Sequence, residues 1–164
     1  MGWPDLNIAV RSLLFTVVVP ASAAVYIPWW ILNRWGPLPF PTGWHAVSLI
    51  AIGAALYLSC LWVFAIVGRG TPAPWDAPRR FVAVGPYKWV RNPMYIAVLL
   101  VVVGEAWLFL SASLLLYAVA LAIAFHVFVI AYEEPTLRRS FGDTYERYVA
   151  TVPRWKPRPP RTAA

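Results

Sequence analysis

The sequence predicts an all-α fold, an integral membrane helical bundle of about four transmembrane helices followed by a C-terminal amphipathic helix. The 164 residues are 60% hydrophobic and only 13% charged, which is more apolar surface than a soluble domain of this size could hide. Most apolar residues fall into four runs near the length of about 20 residues that a bilayer core requires. Ten Trp and eight Tyr are typical of the aromatic belts at membrane interfaces. Residues 1–164 are therefore interpreted as one membrane domain.

The four predicted spans are residues 8–32, 44–67, 94–110 and 113–132. The first is too long for a cleaved signal peptide, and it ends in the belt-like pair Trp29-Trp30. The third is short for a bilayer. Residues 68–93 form the loop between the second and third spans, and residues 133–164 form a tail.

The tail predicts a further helix that lies in the membrane interface. Leu137, Phe141 and Tyr145 recur at helical spacing while charged residues take the opposite face, as in an amphipathic interfacial helix. Segment 153–160 is rich in proline and basic residues, and it predicts an unstructured end.

The positions of Lys and Arg predict the orientation. Loop 68–93 and tail 133–164 hold most of these residues, the loop between the first two spans has only Arg34, and the turn between the last two has none. We therefore expect both termini and the large loop to be cytoplasmic, in a plasma or inner membrane. The net charge of +7 indicates this orientation, and no nucleic acid partner is expected.

Several common kinds of site are missing from the sequence. Cys60 is the only cysteine, which excludes a disulfide framework and a cysteine metal cluster, and no metal site is expected. A Gly-rich phosphate loop and a Ser/His/Asp set are also missing.

The most informative stretch, residues 85–95, combines turn formers, aromatic rings, cations and an amide directly before the third span. The third and fourth spans must form a tight hairpin that turns near Ala112. Equal counts from this turn bring Asn92 level with Tyr132 in antiparallel helices. The acid pair at 133–134 should therefore face the polar loop at the cytoplasmic membrane edge.

Such a site fits a compact ligand of mixed charge. Glu133 or Glu134 can pair with an ammonium group, and aromatic rings can stack on a base or a sulfonium. The cations available to pair with a carboxylate are Arg79, Arg80 and Arg91. The rings available for stacking are those of Tyr87, Trp89 and Tyr95. S-adenosylmethionine carries all of these groups.

Separated motifs resemble the isoprenylcysteine carboxyl methyltransferase family. They are Gly70-Thr71-Pro72, the run from Gly85 to Tyr95, Glu133-Glu134-Pro135-Thr136-Leu137, Phe141-Gly142-Asp143-Thr144-Tyr145, and Val152-Pro153. Their order and spacing are kept over roughly the C-terminal two-thirds of the chain. The resemblance implies a membrane enzyme that uses S-adenosylmethionine without a Rossmann domain and methylates a lipophilic small molecule or a lipidated substrate.

The resemblance also implies a set of cofactor contacts. These are Arg79, Arg80, Phe81, Val82, Tyr87, Asn92, Pro93, Met94, Tyr95 and Glu133. Asn92 stands where the family usually has His, and it still offers one acceptor and two donors. Val129 stands where eukaryotic members have an arginine for the substrate carboxylate, so the resemblance supports methyl transfer better than that acceptor.

Four residues are candidates for contact with the acceptor. If the acceptor must lose a proton, Glu134 or His126 can act as the base, as can Glu105. Arg154 in the tail is the candidate to reach back to an acceptor carboxylate. His126 and Glu105 lie inside spans, where ionisable groups suggest function, although a packing role is about equally expected for each.

Three other functions remain open at the level of the sequence. A phospholipid or small-amine methyltransferase would keep the cofactor and change the acceptor. A membrane binding or transport component without catalytic activity would belong to a different class, as would a membrane reductase with a nicotinamide cofactor.

Overall fold

The computed structural model describes residues 6–35, 43–68 and 81–160, and every regular element in these ranges is helical. Three helical stretches, Val10–Arg34, Trp44–Gly68 and Ala112–Phe141, are long and apolar enough to cross a membrane. Pro93–Leu108 is a shorter apolar helix. The predicted all-α membrane bundle is therefore confirmed.

The first apolar run is divided. Helix α1 covers Leu6–Val18, a π-helical turn covers Ser22–Tyr26, and helix α2 covers Ile27–Trp35. Pro20 has no backbone N–H and interrupts the hydrogen-bond ladder between α1 and this turn. The run was expected as one span over residues 8–32, and the structure has a helical stretch over Val10–Arg34 with an irregular segment near its centre.

Helices α3, Trp44–Val63, and α4, Pro93–Leu108, form the tightest pair. A Cβ atom on Gly53 would lie 2.7 Å from the carbonyl oxygen of Ala97, and one on Gly104 would lie 2.6 Å from Cγ1 of Ile50. Glycine at these positions lets the two helices approach closely, as is common between membrane helices.

Helix α5 covers Ala112–Phe128 and makes a hairpin with α4. The Ser111 side chain caps α5 by accepting a hydrogen bond from the backbone N–H of Leu114 at 3.2 Å. A π-helical turn over Val129–Glu133 leads directly into α6, Glu134–Phe141. Pro135 cannot donate within a helix, and the wider turn before it lets the helix continue.

The tail contains two helices where the sequence predicted one. Helix α7 covers Asp143–Thr151, and Gly142 separates it from α6 with a φ of +49°. Glycine adopts this left-handed conformation without steric cost. The chain therefore turns a corner at Gly142, and the amphipathic pattern predicted for one helix is divided between α6 and α7.

The prediction of an unstructured end is wrong for residues 152–158, the C-terminal strap. Arg91 donates its backbone N–H to the Pro153 carbonyl at 2.9 Å, and Arg158 donates to the Trp89 carbonyl at 2.9 Å. The strap has no regular secondary structure, and these two backbone hydrogen bonds hold it along the loop before α4.

Candidate active site

The loop before α4 is held by local turns and by the tail. Gly85 has a φ of +59° and begins a short 3-10 turn, Gly85–Lys88. The Tyr148 hydroxyl donates to the Tyr87 carbonyl at 2.7 Å. Burial raises the pKa of both tyrosine hydroxyls, so both stay neutral at physiological pH. These contacts hold Tyr87 as a buried wall of the site.

The predicted register of the hairpin is confirmed. Tyr95 donates its hydroxyl to Oε2 of Glu133 at 2.8 Å, and Nη1 of Arg91 donates to Oε1 of Glu134 at 2.8 Å. The acid pair therefore faces the polar loop at one end of the hairpin.

Glu134 is enclosed by arginines and is only 4% exposed. Arg154 bonds both carboxylate oxygens, with Nε 2.6 Å from Oε1 and Nη2 3.0 Å from Oε2. Arg138 lies 3.7 Å from Oε2. Hydrogen bonding to Glu134 raises the pKa of the Arg154 guanidinium. These surroundings fit an anchor for arginines better than the base expected from the sequence.

Glu133 has different surroundings. Its carboxyl group accepts a hydrogen bond from the Tyr95 hydroxyl, and no arginine or lysine pairs with it among the residues that the structure describes. The side chain lines two adjoining cavities. Burial raises the pKa of Glu133, and its carboxyl group lies beside the Tyr95 hydroxyl where both cavities are lined.

The smaller cavity, here called the polar cavity, has a volume of about 110 Å³. The larger, the apolar cavity, has a volume of about 480 Å³ and extends between α1, α4 and α5. The residues that line both are Phe64, Tyr87, Arg91, Asn92, Tyr95, Phe128 and Glu133. The two spaces meet at these side chains, and we call this meeting point the junction.

Aromatic rings form one wall of the polar cavity. The ring centroid of Phe81 lies 5.3 Å from that of Phe141, 5.9 Å from that of Tyr145 and 5.0 Å from that of Tyr148. Ring faces attract cations and stack on planar groups. This wall can therefore hold a base or a sulfonium.

The three π-helical turns all contribute to the cavities. Ala23 belongs to the first turn, Phe64 to the second, over Phe64–Gly68, and Glu133 to the third, and all three residues are cavity-lining. Such turns occur frequently at functional sites because they displace side chains from the regular helical positions.

Most of the expected cofactor contacts lie together. Those that line the polar cavity are Phe81, Val82, Tyr87, Asn92, Tyr95 and Glu133. Met94 lines the apolar cavity, and Pro93 is buried at the first position of α4 without lining either. Arg79 and Arg80 lie outside the described residues.

Of the remaining candidates, Glu134 lines the polar cavity, whereas His126 and Arg154 line neither cavity. Nδ1 of His126 accepts a hydrogen bond from Nε1 of Trp155 at 2.9 Å, on an exposed surface. Arg154 bonds the Glu134 carboxylate from outside both cavities. The expectation that His126 points into an acceptor pocket is not met, because its helix turns the ring towards the strap.

Several lining residues were not predicted from the sequence. Tyr145 was expected on the apolar side of one interfacial tail helix, yet after the corner at Gly142 it lines the polar cavity together with Tyr148. Phe15 lines the apolar cavity from α1. Phe15 reaches the site only through packing between distant segments, which the spacing of residues along the chain does not predict.

Residues 42–144 match the model of a family described as phospholipid methyltransferase. The matched range includes α3 to α6, the polar loop and the acid pair. It leaves out α1, α2 and the C-terminal strap. No curated protein and no solved structure matches the chain significantly.

Proposed function

Because this chain belongs to the phospholipid methyltransferase family, we propose that it transfers a methyl group from S-adenosylmethionine to a lipophilic acceptor at the cytoplasmic membrane face. The observation that carries the proposal is the Glu133 carboxylate, which lies where a polar, ring-lined cavity meets an apolar one. A cofactor with a cationic head and a lipid acceptor would need these two neighbouring environments.

The groups around the polar cavity match the chemistry of this cofactor. Glu133 can accept hydrogen bonds from its ammonium group, a charge-assisted contact. Nε of Arg91 is buried without a hydrogen-bond partner among the described residues, and this donor suits the cofactor carboxylate. The rings of Phe81 and Tyr148 suit the adenine base.

The size of the cavity indicates how the cofactor would be held. Sites for small molecules usually measure about 300–1,000 Å³, so the polar cavity of about 110 Å³ is too small alone. The cofactor would therefore extend to the junction, beside Tyr95 and Glu133. S-adenosylmethionine supplies an electrophilic methyl group on a sulfonium.

The contribution of the protein is mainly alignment and exclusion of water. Tyr95 fixes the Glu133 carboxylate by donating its hydroxyl. Glu134 holds Arg91 and Arg154 in place, and the strap is tied to the loop through the backbone of Arg91. These contacts fix Arg91 and Glu134, which both line the polar cavity.

The acceptor head group is more consistent with an amine or a hydroxyl than with a carboxylate. A buried carboxylate needs a cationic partner. Arg154, the candidate for that partner, already bonds both oxygens of Glu134. Val129 lines the polar cavity and is 1% exposed. A phospholipid or amine acceptor is therefore favoured over a prenylcysteine carboxylate.

A methyl-transfer assay tests the proposal. Purified protein is incubated with S-adenosylmethionine labelled in its methyl group, and with a membrane lipid extract, an aminophospholipid or a prenylcysteine analogue. We expect label in the lipid extract or the aminophospholipid. Efficient labelling of the prenylcysteine carboxyl would refute the acceptor assignment, and no labelling of any acceptor would refute the function.

A further inference from the structure

One wall of the apolar cavity comes from the N-terminal helix. Phe15, Val19 and Ala23 line it together with Pro20. The first three positions follow one another every fourth residue, which places them on one side of a helix. Leu14, next to Phe15, points elsewhere and is 59% exposed. Phe15, Val19, Pro20 and Ala23 therefore form one wall of the cavity, here called the α1 wall.

The opposite wall comes from α4 and α5. It consists of Met94, Val98, Ala124, Phe125 and Phe128. The charged side chains that line this cavity, Arg91 and Glu133, both belong to the junction. A ligand with one polar end would therefore place that end at the junction and its apolar part between α1 and α5.

The irregular backbone after α1 gives this wall its shape. Pro20 removes one backbone donor, and the π-helical turn Ser22–Tyr26 displaces Ala23 from its regular position. Val19 lines the cavity and is also 42% exposed. An opening towards the bilayer therefore lies beside Val19, where an apolar chain can enter.

The two walls differ in their relation to the family. The junction residues Asn92, Tyr95 and Glu133 lie within the matched range 42–144, whereas α1 lies outside it. The part of the site that the family model describes is the polar end. The α1 wall is an addition that the family match does not describe.

We propose that the wall formed by Phe15 of α1 and by Val19, Pro20 and Ala23 just after it selects the acceptor, and that Phe15 and Val19 set the length of the single apolar chain that the cavity accepts. This inference rests on the proposed function, because it concerns the acceptor of that reaction. The volume of about 480 Å³ lies within the usual range for one small-molecule ligand. A second chain of a diacyl lipid would remain in the bilayer beside Val19.

The test measures chain binding directly, without turnover. A hexadecylamine that carries a photoreactive diazirine near its end is crosslinked to the purified protein, and the labelled peptide is identified by mass spectrometry. We expect labelling within residues 15–23 that excess unlabelled hexadecylamine prevents. The inference would be overturned if excess unlabelled hexadecylamine did not reduce the labelling. It would also be overturned if the labelling that the competitor prevents were confined to other helices.

Substitutions then test chain length. Competition is compared for dodecyl-, tetradecyl-, hexadecyl- and octadecylamine with Phe15→Ala, Phe15→Trp, Val19→Phe and the control Leu14→Ala. A single methylene in an apolar pocket changes discrimination by about tenfold or more. Phe15→Ala should therefore shift the preference to longer chains, and Phe15→Trp and Val19→Phe should shift it to shorter ones. In each case the ratio of the affinities for octadecylamine and dodecylamine should change by at least about tenfold. Val19→Phe adds side-chain volume inside the apolar cavity, so this variant still tests the chain-length preference if Phe15→Ala does not fold.

The control separates this inference from the proposed function. Leu14→Ala should keep the parental preference, and all variants should keep the cofactor affinity, because the α1 wall lies outside the polar cavity. A preference that is the same in the Phe15 and Val19 variants as in Leu14→Ala would overturn the inference alone. Loss of cofactor binding in the parent protein would instead refute the proposed function.

Discussion

Replacing Glu134 with glutamine removes the negative charge that holds three arginines. The carboxylate accepts hydrogen bonds from Arg91 at 2.8 Å and from Arg154 at 2.6 and 3.0 Å. Loss of one partner of a buried ion pair typically costs 3–5 kcal/mol, since the remaining charge is left buried. Arg154 is partly exposed and the glutamine can still accept one hydrogen bond. We therefore expect Glu134→Gln to lower the free energy of unfolding by about 2–4 kcal/mol.

A matched control exists on the same tail. Glu146 pairs with Arg138 at 2.8 Å, but its side chain is 55% exposed, and pairs of this kind contribute about 0–1 kcal/mol. Both variants are unfolded by titration with dodecyl sulfate in mixed micelles and followed by circular dichroism. If Glu134→Gln loses no more stability than Glu146→Gln, the arginines do not depend on Glu134 and the reasoning is refuted.

Three further predictions concern packing, the site and topology. Gly53→Ala should cost about 1–3 kcal/mol in the same titration, because its Cβ would lie 2.7 Å from the Ala97 carbonyl oxygen; unchanged stability would contradict the close packing of α3 and α4. Tyr95→Phe should weaken cofactor binding about tenfold in titration calorimetry, because Glu133 loses its donor; equal affinity would separate Tyr95 from the site. In a Cys60→Ser background, Lys156→Cys should react with an impermeant maleimide only after cells are permeabilised, since the tail is expected in the cytoplasm; labelling of intact cells would reverse the topology.

The sequence predicted the parts of the structure that depend on hydropathy and hairpin geometry. The apolar runs indicated the membrane helices, and the turn near Ala112 gave the register that brings Tyr95 to Glu133 and Arg91 to Glu134. These features follow from local composition and from counting residues along antiparallel helices.

The parts that the sequence did not predict depend on contacts between distant segments. The strap binds the loop through backbone groups of Trp89 and Arg91, and backbone groups carry no sequence signal. The corner at Gly142 depends on one left-handed residue. The role of Glu134 changed because Arg154 folds back onto it, which a pattern of charges along the chain cannot specify.

The central claim is that Glu133 binds S-adenosylmethionine at the junction of the two cavities. Calorimetric titration of the purified protein with this cofactor tests the claim directly, with Glu146→Gln as the control. A hydrogen bond to a charged group is worth about 1.5–3 kcal/mol, so Glu133→Gln should bind roughly ten- to a hundredfold more weakly, while Glu146→Gln binds like the parent. A parent protein that does not bind the cofactor, or a Glu133→Gln variant with unchanged affinity, would contradict the claim.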